Sequence, residues 1–183
     1  MELVIINPPA FDVDIDIRYA TPSNFTGKPV YRNAKCFLHP EAAVCMQAAI
    51  GLAKAVGLRF VIYDAFRPSE AQWKLWEHTP DPDFLANPAQ GSPHSRGVAV
   101  DLTLLDNNGV PLDMGTEFDA LTPLSHHGRT DIPVQAQQNR LLLMGIMTTS
   151  GWDFYRNEWW HYQLFNSRNY PVTSDSEAGT GMM

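Results

Sequence analysis

The chain has 183 residues, 44% of them hydrophobic, and a formal net charge of −7. That length suits one domain with a sizeable core, and the acidic balance, with no run of Lys or Arg, argues against a nucleic-acid partner. No apolar run approaches a membrane span, and the start, Met1 to Pro8, lacks the basic and apolar regions of a signal peptide, so the expectation is the cytoplasm, or the periplasm if a leader has been removed. Two cysteines, Cys36 and Cys45, do not make a disulfide scaffold. They read as buried thiols, with pairing left open, and neither belongs to a Cys-x-x-Cys metal motif.

Up to Tyr31 the chain is rich in Asp, Pro, Asn and Gly and reads as loops, with Val13 to Ile17 alternating as a half-buried strand. Pro40 opens a helix that Gly57 ends. Leu58 to Tyr63, β-branched and aromatic, predicts a buried strand. Ser69, with Gln72 at the capping-box position, predicts the start of a second helix running to His78. Residues 81–91 are a Pro- and Gly-punctuated loop. Val98 to Leu104 alternates: Val98, Val100, Leu102 and Leu104 face one way, and Ala99, Asp101 and Thr103 the other. Asp106 to Gly109 is a turn, expected to close a hairpin. Pro133 to Thr148 predicts the last strong helix. Trp152 to Phe154 and Trp159 to Leu164 predict two further strands, and the tail from Val172 is expected to fray. Strands and helices mix without a βαβ rhythm. The predicted fold class is α+β, a single domain with an antiparallel β-sheet and helices packed on it.

Two polar clusters interrupt these apolar strands. One is Ser92-Pro93-His94-Ser95-Arg96-Gly97-Val98-Ala99-Val100-Asp101; the other is Glu158-Trp159-Trp160-His161. Zinc takes nitrogen, sulfur and carboxylate oxygen in a tetrahedral shell, and catalytic sites keep one vertex for water. His94, Asp101 and His161 supply three such ligands, with Glu158 left over to work on the water. A turn at Arg96-Gly97 would fold His94 back beside the polar face of the strand. A single histidine in an aromatic strand is more often a hydrogen-bonded core residue, and His-x6-Asp is not a strong pattern. Spacing alone therefore leaves zinc and a metal-free core both open. There is also a parity conflict: in a regular strand, residues 158 and 161 face opposite ways. Glu158 can share a site with His161 only from a turn or bulge, so Tyr155 to Glu158 is predicted to be a turn.

The residues Ser-x-His-x-x-Gly-x-Ala-x-Asp (Ser92 to Asp101) and Glu-x-Trp-His (Glu158 to His161) resemble those of the zinc D,D-peptidases, which share a fold with the hedgehog signalling domain. Arg18 to Gly27, Tyr63-Asp64-Ala65-Phe66-Arg67-Pro68, His94 to Leu104, and Asp113-Met114-Gly115 with Phe118-Asp119 narrow the resemblance to the D-alanyl-D-alanine dipeptidases, from about Asp12 to Pro171. The resemblance implies one zinc ion held by His94, Asp101 and His161, with Glu158 as general base and Arg67 stabilising the transition state. It places Tyr19, Ser92 and Asp119 in the dipeptide pocket, with Asp119 facing the ammonium. Asp64 joins them by holding the Arg67 guanidinium. Phe66 stands where many relatives carry tyrosine, which implies a pocket without that hydroxyl. His126 and His127 match no motif and read as exposed loop residues.

The implied substrate is the free D-Ala-D-Ala dipeptide, with both charged ends read by a closed pocket. Two other readings stay open. One is a D,D-carboxypeptidase or peptidoglycan endopeptidase with an open cleft; the other is a zinc-bearing binding module without catalysis.

Overall fold

The alternating run around Asp101 becomes the middle of a five-stranded sheet. The computed structural model describes residues 2–183, and its strands are β1 (Val4–Ile5), β2 (Val13–Ile15), β3 (Phe37–Leu38), β4 (Arg59–Asp64), β5 (Ala99–Leu105), β6 (Trp152–Phe154) and β7 (His161–Leu164). The helices are α1 (Pro40–Ala55), α2 (Ser69–His78), α3 (Val134–Thr149) and the short α4 (Asp175–Ala178). The large sheet has the order β2-β4-β5-β7-β6, and β1 pairs with β3 separately. All pairs in the large sheet are antiparallel except β2 with β4, which is parallel. The fold is α+β, as the sequence indicates, with one parallel edge pair that periodicity does not report.

The two faces of β5 have different duties. Val100, Leu102 and Leu104 are fully buried in a core with Phe60 and Ile62 of β4, Met46 and Ala49 of α1, and Leu143 and Met147 of α3. Asp101 and Thr103, on the other face, are buried as well, so β5 is covered on both sides. Burying each large aliphatic side chain contributes about 1.5–3 kcal/mol, so this core holds the polar face in place.

Helix signals are largely kept. Pro40 sits in the first turn of α1, whose N-terminal cap is the His39 side chain accepting from the Glu41 amide. The capping box expected at Ser69 does not form: Pro68 is the N-cap of α2, without a side-chain bond, and Gln72 is drawn into the interior. The Asp106 to Gly109 turn forms, but its return is a single bridge between Leu105 and Pro111 rather than a hairpin ladder. Cys36 and Cys45 are free thiols; Cys36 is buried, which pushes its thiol up, and Cys45 is only half-buried.

The tail differs from the expected fraying. Ser174 and Glu177 form a capping box that starts α4. The Asp175 carboxylate accepts from the Met182 and Met183 amides, and the Met182 carbonyl accepts from the Arg32 amide at 2.7 Å. Met182 is 0% exposed and belongs to the main core. One apolar side chain and one aspartate dock a segment whose small polar composition suggests none of this. Met182→Ala should therefore lower unfolding free energy by about 2–5 kcal/mol, the range for emptying a buried methionine site. Urea denaturation checks this, and a loss within 0.5 kcal/mol, the typical surface value of about ±0.5, would mean that the tail is not seated.

Candidate metal centre and its pocket

Three local devices bring His94, Asp101 and His161 together. Asp101 on β5 stands directly opposite His161 on β7. His94 lies in a 3-10 turn, His94–Arg96, closed by Gly97 at φ 69°. That left-handed conformation is costly for residues with a Cβ, and it turns the chain so that the His94 ring returns over the start of β5. The side chains of all three are buried, and their ligand atoms lie within 4.8 Å of one another.

The tautomers are set from outside the cluster. His94 Nδ1–H donates to the Ala65 carbonyl at 2.7 Å, which leaves Nε2 as the free lone pair. His161 Nε2–H donates to Gln163 Oε1 at 3.1 Å, which leaves Nδ1 free. The two free nitrogens are 3.0 Å apart, and Asp101 Oδ1 lies 3.3 Å from one and 3.1 Å from the other. Two lone pairs and a carboxylate oxygen converging at this distance repel unless a cation or proton sits among them. The donor set, two nitrogens and one oxygen with their far sides hydrogen-bonded, fits a divalent metal such as zinc. Burial pushes the Asp101 carboxyl up, but whenever the facing nitrogens of His94 and His161 carry a proton, their charge and hydrogen bonds outweigh burial and hold it well below the usual range.

A guanidinium lies alongside. A regular β4–β5 ladder would set Tyr63 opposite Asp101; an irregularity between Ile62 and Asp64 sets Asp64 there instead. Asp64 accepts from Arg67 Nε at 2.8 Å and from the Tyr31 hydroxyl at 2.8 Å. Arg67 Nη1 donates to Gln72 Oε1 at 2.9 Å, and Nη2 lies 3.5 Å from Asp101 Oδ2. Its Cζ is 4.8 Å from the centroid of the Tyr19 ring. Gln72 continues to the Ala86 carbonyl through its Nε2 at 2.8 Å.

The parity conflict at Glu158 is resolved by turns. Residues 156–157 turn as expected, with the Glu158 amide donating to the Tyr155 carbonyl at 3.3 Å. A second turn at 159–160, with the His161 amide donating to the Glu158 carbonyl at 3.4 Å, breaks the parity and starts β7 at His161, two residues later than expected. Glu158 Oε2 then lies 3.9 Å from His161 Nδ1. Burial, reinforced by the Asp101 and Asp119 carboxylates and opposed by Arg67, raises its carboxyl well above the ordinary value.

These groups line a cavity of about 160 Å³. Arg67, Ser92, His94, Asp101, Glu158 and His161 form its polar side. Tyr19 and Asp119 stand on another wall, joined by a Tyr19 hydroxyl to Asp119 Oδ1 bond of 3.0 Å. Asp119 has φ 61°, an unfavourable conformation for a residue with a Cβ. Its Oδ2 is shielded from solvent and has no hydrogen-bond partner. Burial, and then Asp101, push its carboxyl up to about 8. The roof comes from Pro82, Phe84 and Leu85 in the predicted loop. It is tied down where the Asp83 carbonyl accepts from the Tyr155 hydroxyl and from Asn157 Nδ2, each at 3.0 Å.

Two expectations change here. Asp64 holds the Arg67 guanidinium as expected, but it is not on the cavity wall and so does not join the substrate contacts; its other oxygen accepts from Tyr31. Phe66 is buried in the core and does not line the cavity, so its missing hydroxyl does not bear on this pocket. Gln72, Gln163 and Tyr155 are the residues that sequence reasoning missed. The available signals were weak: Gln72 is polar on the buried face of α2, and Gln163 follows His161 by two residues and so shares its face.

A profile of the family described as D-ala-D-ala dipeptidase matches residues 1–175. A D-alanyl-D-alanine dipeptidase of Escherichia coli is 43% identical over 175 residues, covering 96% of this chain and 89% of the relative. Enzymes of the same name from Enterococcus faecalis and Streptomyces coelicolor are each 34% identical, covering 86% and 81% of this chain and 88% and 84% of their own lengths.

His127, expected to be exposed, is largely enclosed. Its ring packs 5.0 Å from that of Phe154, its Nε2 has no partner, and its amide donates to the Arg156 carbonyl. Burial, with the nearby Arg140 charge, pulls its pKa down to about 4 from 6.5. The unfolded chain therefore binds a proton more readily between those two values, and stability falls as pH drops through that window. The urea midpoint should decline from about pH 6.5 towards about pH 4, and His127→Gln should flatten the decline. An unchanged slope in the variant would remove His127 as its source.

Proposed function

The chain belongs to the D-Ala-D-Ala dipeptidase family, and on that premise we propose that it hydrolyses the D-Ala-D-Ala dipeptide to two D-alanines with one zinc ion. The observation that carries this reading is the bare Asp119 Oδ2. It is a buried carboxylate oxygen without a partner, held in a left-handed backbone on the wall of a small cavity. A buried carboxylate oxygen without a donor is costly, and the ammonium end of a short peptide supplies both a donor and a charge. A pocket built to pair a free ammonium favours a dipeptide over an extended chain.

His94 Nε2, Asp101 and His161 Nδ1 hold the metal in this reading, with Ala65 and Gln163 orienting the rings. When bound, zinc supplies Lewis acidity, making water more acidic and the peptide carbonyl more electrophilic. Glu158 accepts the proton of the attacking water and returns it to the leaving amine. Its raised proton affinity suits a group that must hold a proton between two steps. Arg67 is fixed by Asp64 and Gln72 before substrate arrives, so its charge is preorganised for the carbonyl oxygen as that oxygen becomes negative. Losing such a contact typically costs about 2.7–4 kcal/mol of barrier. Tyr19 orients Asp119, and Ser92 stands at the polar wall for the dipeptide's carboxylate. Soluble dipeptide is the partner; no helix among the described residues is long and apolar enough to cross a membrane.

Two measurements test the proposal. The zinc-loaded protein should cleave D-Ala-D-Ala faster than L-Ala-L-Ala and faster than a stem pentapeptide; faster cleavage of the pentapeptide would replace this reading with a carboxypeptidase. Glu158→Gln should keep one zinc by elemental analysis while turnover drops by a factor of about 10²–10⁴, the usual contribution of a general acid–base. Undiminished turnover would remove Glu158 from the proton path.

A further inference from the structure

We propose that Arg140, on α3 and outside the cavity, is a positioning residue that holds Asp119 and Glu158 in one fixed relation. The inference rests on the ammonium-reading role given to Asp119 above. Arg140 is 4% exposed, and its hydrogen-bond partners are carbonyl and hydroxyl oxygens rather than a carboxylate. Nε donates to the Met114 carbonyl at 2.7 Å, and Nη1 to the carbonyls of Leu124 and His126 at 2.9 and 3.0 Å. Nη2 lies 3.5 Å from Thr116 Oγ1. The guanidinium thus binds both ends of the loop that carries Asp119. Its direct partners are neutral oxygens, with the Asp113 carboxylate acting only at a distance; burying a guanidinium this way is expensive, so a role beyond filling space is called for.

Two routes lead from this point to the cavity. In the first, Thr116 Oγ1 is 3.0 Å from Ser125 Oγ, which donates to the Ala120 carbonyl at 2.6 Å, one residue from Asp119. This bond braces the loop next to the left-handed residue, where strain would otherwise relax. In the second, Trp159 Nε1 donates to the same Thr116 Oγ1 at 2.8 Å, and the Trp159 amide donates to the Ser125 carbonyl at 3.1 Å. Arg140 Cζ also lies 6.0 Å from the centroid of the Trp159 ring, within cation–π reach. Trp159 follows Glu158 directly. The His127 amide holds the other side of that turn through the Arg156 carbonyl. A single guanidinium therefore fixes the distance between the group that reads the ammonium and the group that moves the proton.

The test is a ratio that partial unfolding does not change. Measure kcat/KM for D-Ala-D-Ala and for its N-acetylated form in the zinc-loaded wild type, Asp119→Asn, Arg140→Lys and Ser125→Ala. Wild type should prefer the free amine strongly, and Asp119→Asn should lose that preference. Arg140→Lys keeps the charge but cannot reach both ends of the loop. Its preference should fall about tenfold to a hundredfold, the scale of a remote displacement of a catalytic group, with zinc content unchanged. Ser125→Ala should fall in the same direction, and it decides the matter if the lysine variant does not fold. A purely structural role lowers both rates together and leaves the ratio intact, which would overturn the inference while leaving the Asp119 reading in place. If wild type shows no preference for the free amine, the Asp119 reading itself fails, and this inference fails with it.

Discussion

A single guanidinium, Arg67, acts on four carboxyl groups: Asp101, Asp119 and Glu158, which line one partly open cavity, and Asp64, which lies off its wall. Buried charge of one sign must be paired, coordinated or neutralised by protons. The protein meets this constraint unevenly. Burial, with Asp101 adding to it, raises the carboxyls of Asp64, Glu158 and Asp119, of which Asp64 has Arg67 as a direct ion-pair partner, while Asp101 alone is held below the usual range. The excess of carboxylates over cations is what makes the cavity receptive to added positive charge.

Each member of this group depends on a departure from regular backbone. The irregularity in β4 sets Asp64 in front of Asp101. The left-handed Gly97 returns His94 to the strand, the turn at 159–160 between Glu158 and His161 frees Glu158 from strand parity, and Asp119 is itself left-handed. Such features persist when the surrounding structure over-determines them. Here the surroundings are the apolar face of the same sheet, filled by Phe60, Ile62, Val100 and Leu102 against α1 and α3. The core and the site occupy opposite faces of β5, so the packing of one face fixes the geometry of the other.

The residues of the candidate site were legible because they violate their local pattern. Asp101 is a charge in an alternating apolar strand, and His161 a titratable group in an aromatic one. Glu158 announced its turn because strand parity forbade the alternative. Residues that conform to a pattern stayed hidden. Gln72 fits a capping box, yet its amide bridges Arg67 and Ala86. Arg140 precedes Leu141 and Leu142 in what reads as an ordinary amphipathic helix, yet it is buried and they are exposed. The docked tail hangs on Met182, whose carbonyl accepts from the distant Arg32 amide, while Asp175 ties the last residues together. Hydrogen-bond partners across the fold leave no periodic trace, so second partners and braces emerge only when the chain is assembled.

The division among the four carboxyl groups itself separates scaffold from chemistry. Asp64 is bound by Arg67 and Tyr31, and Asp101 is drawn to two imidazoles and Arg67. Both are immobilised, as suits groups whose task is to hold something else in place. The Glu158 carboxylate has only a 3.9 Å approach to His161, and Asp119 leaves Oδ2 bare. A group that must exchange a proton, or exchange one partner for a ligand, has to keep a lone pair available. Leaving those two carboxylates under-bonded costs stability, which the enclosed core on the far side of the sheet offsets. Their unmet bonding, rather than their charge alone, is what suits them to the roles proposed for them.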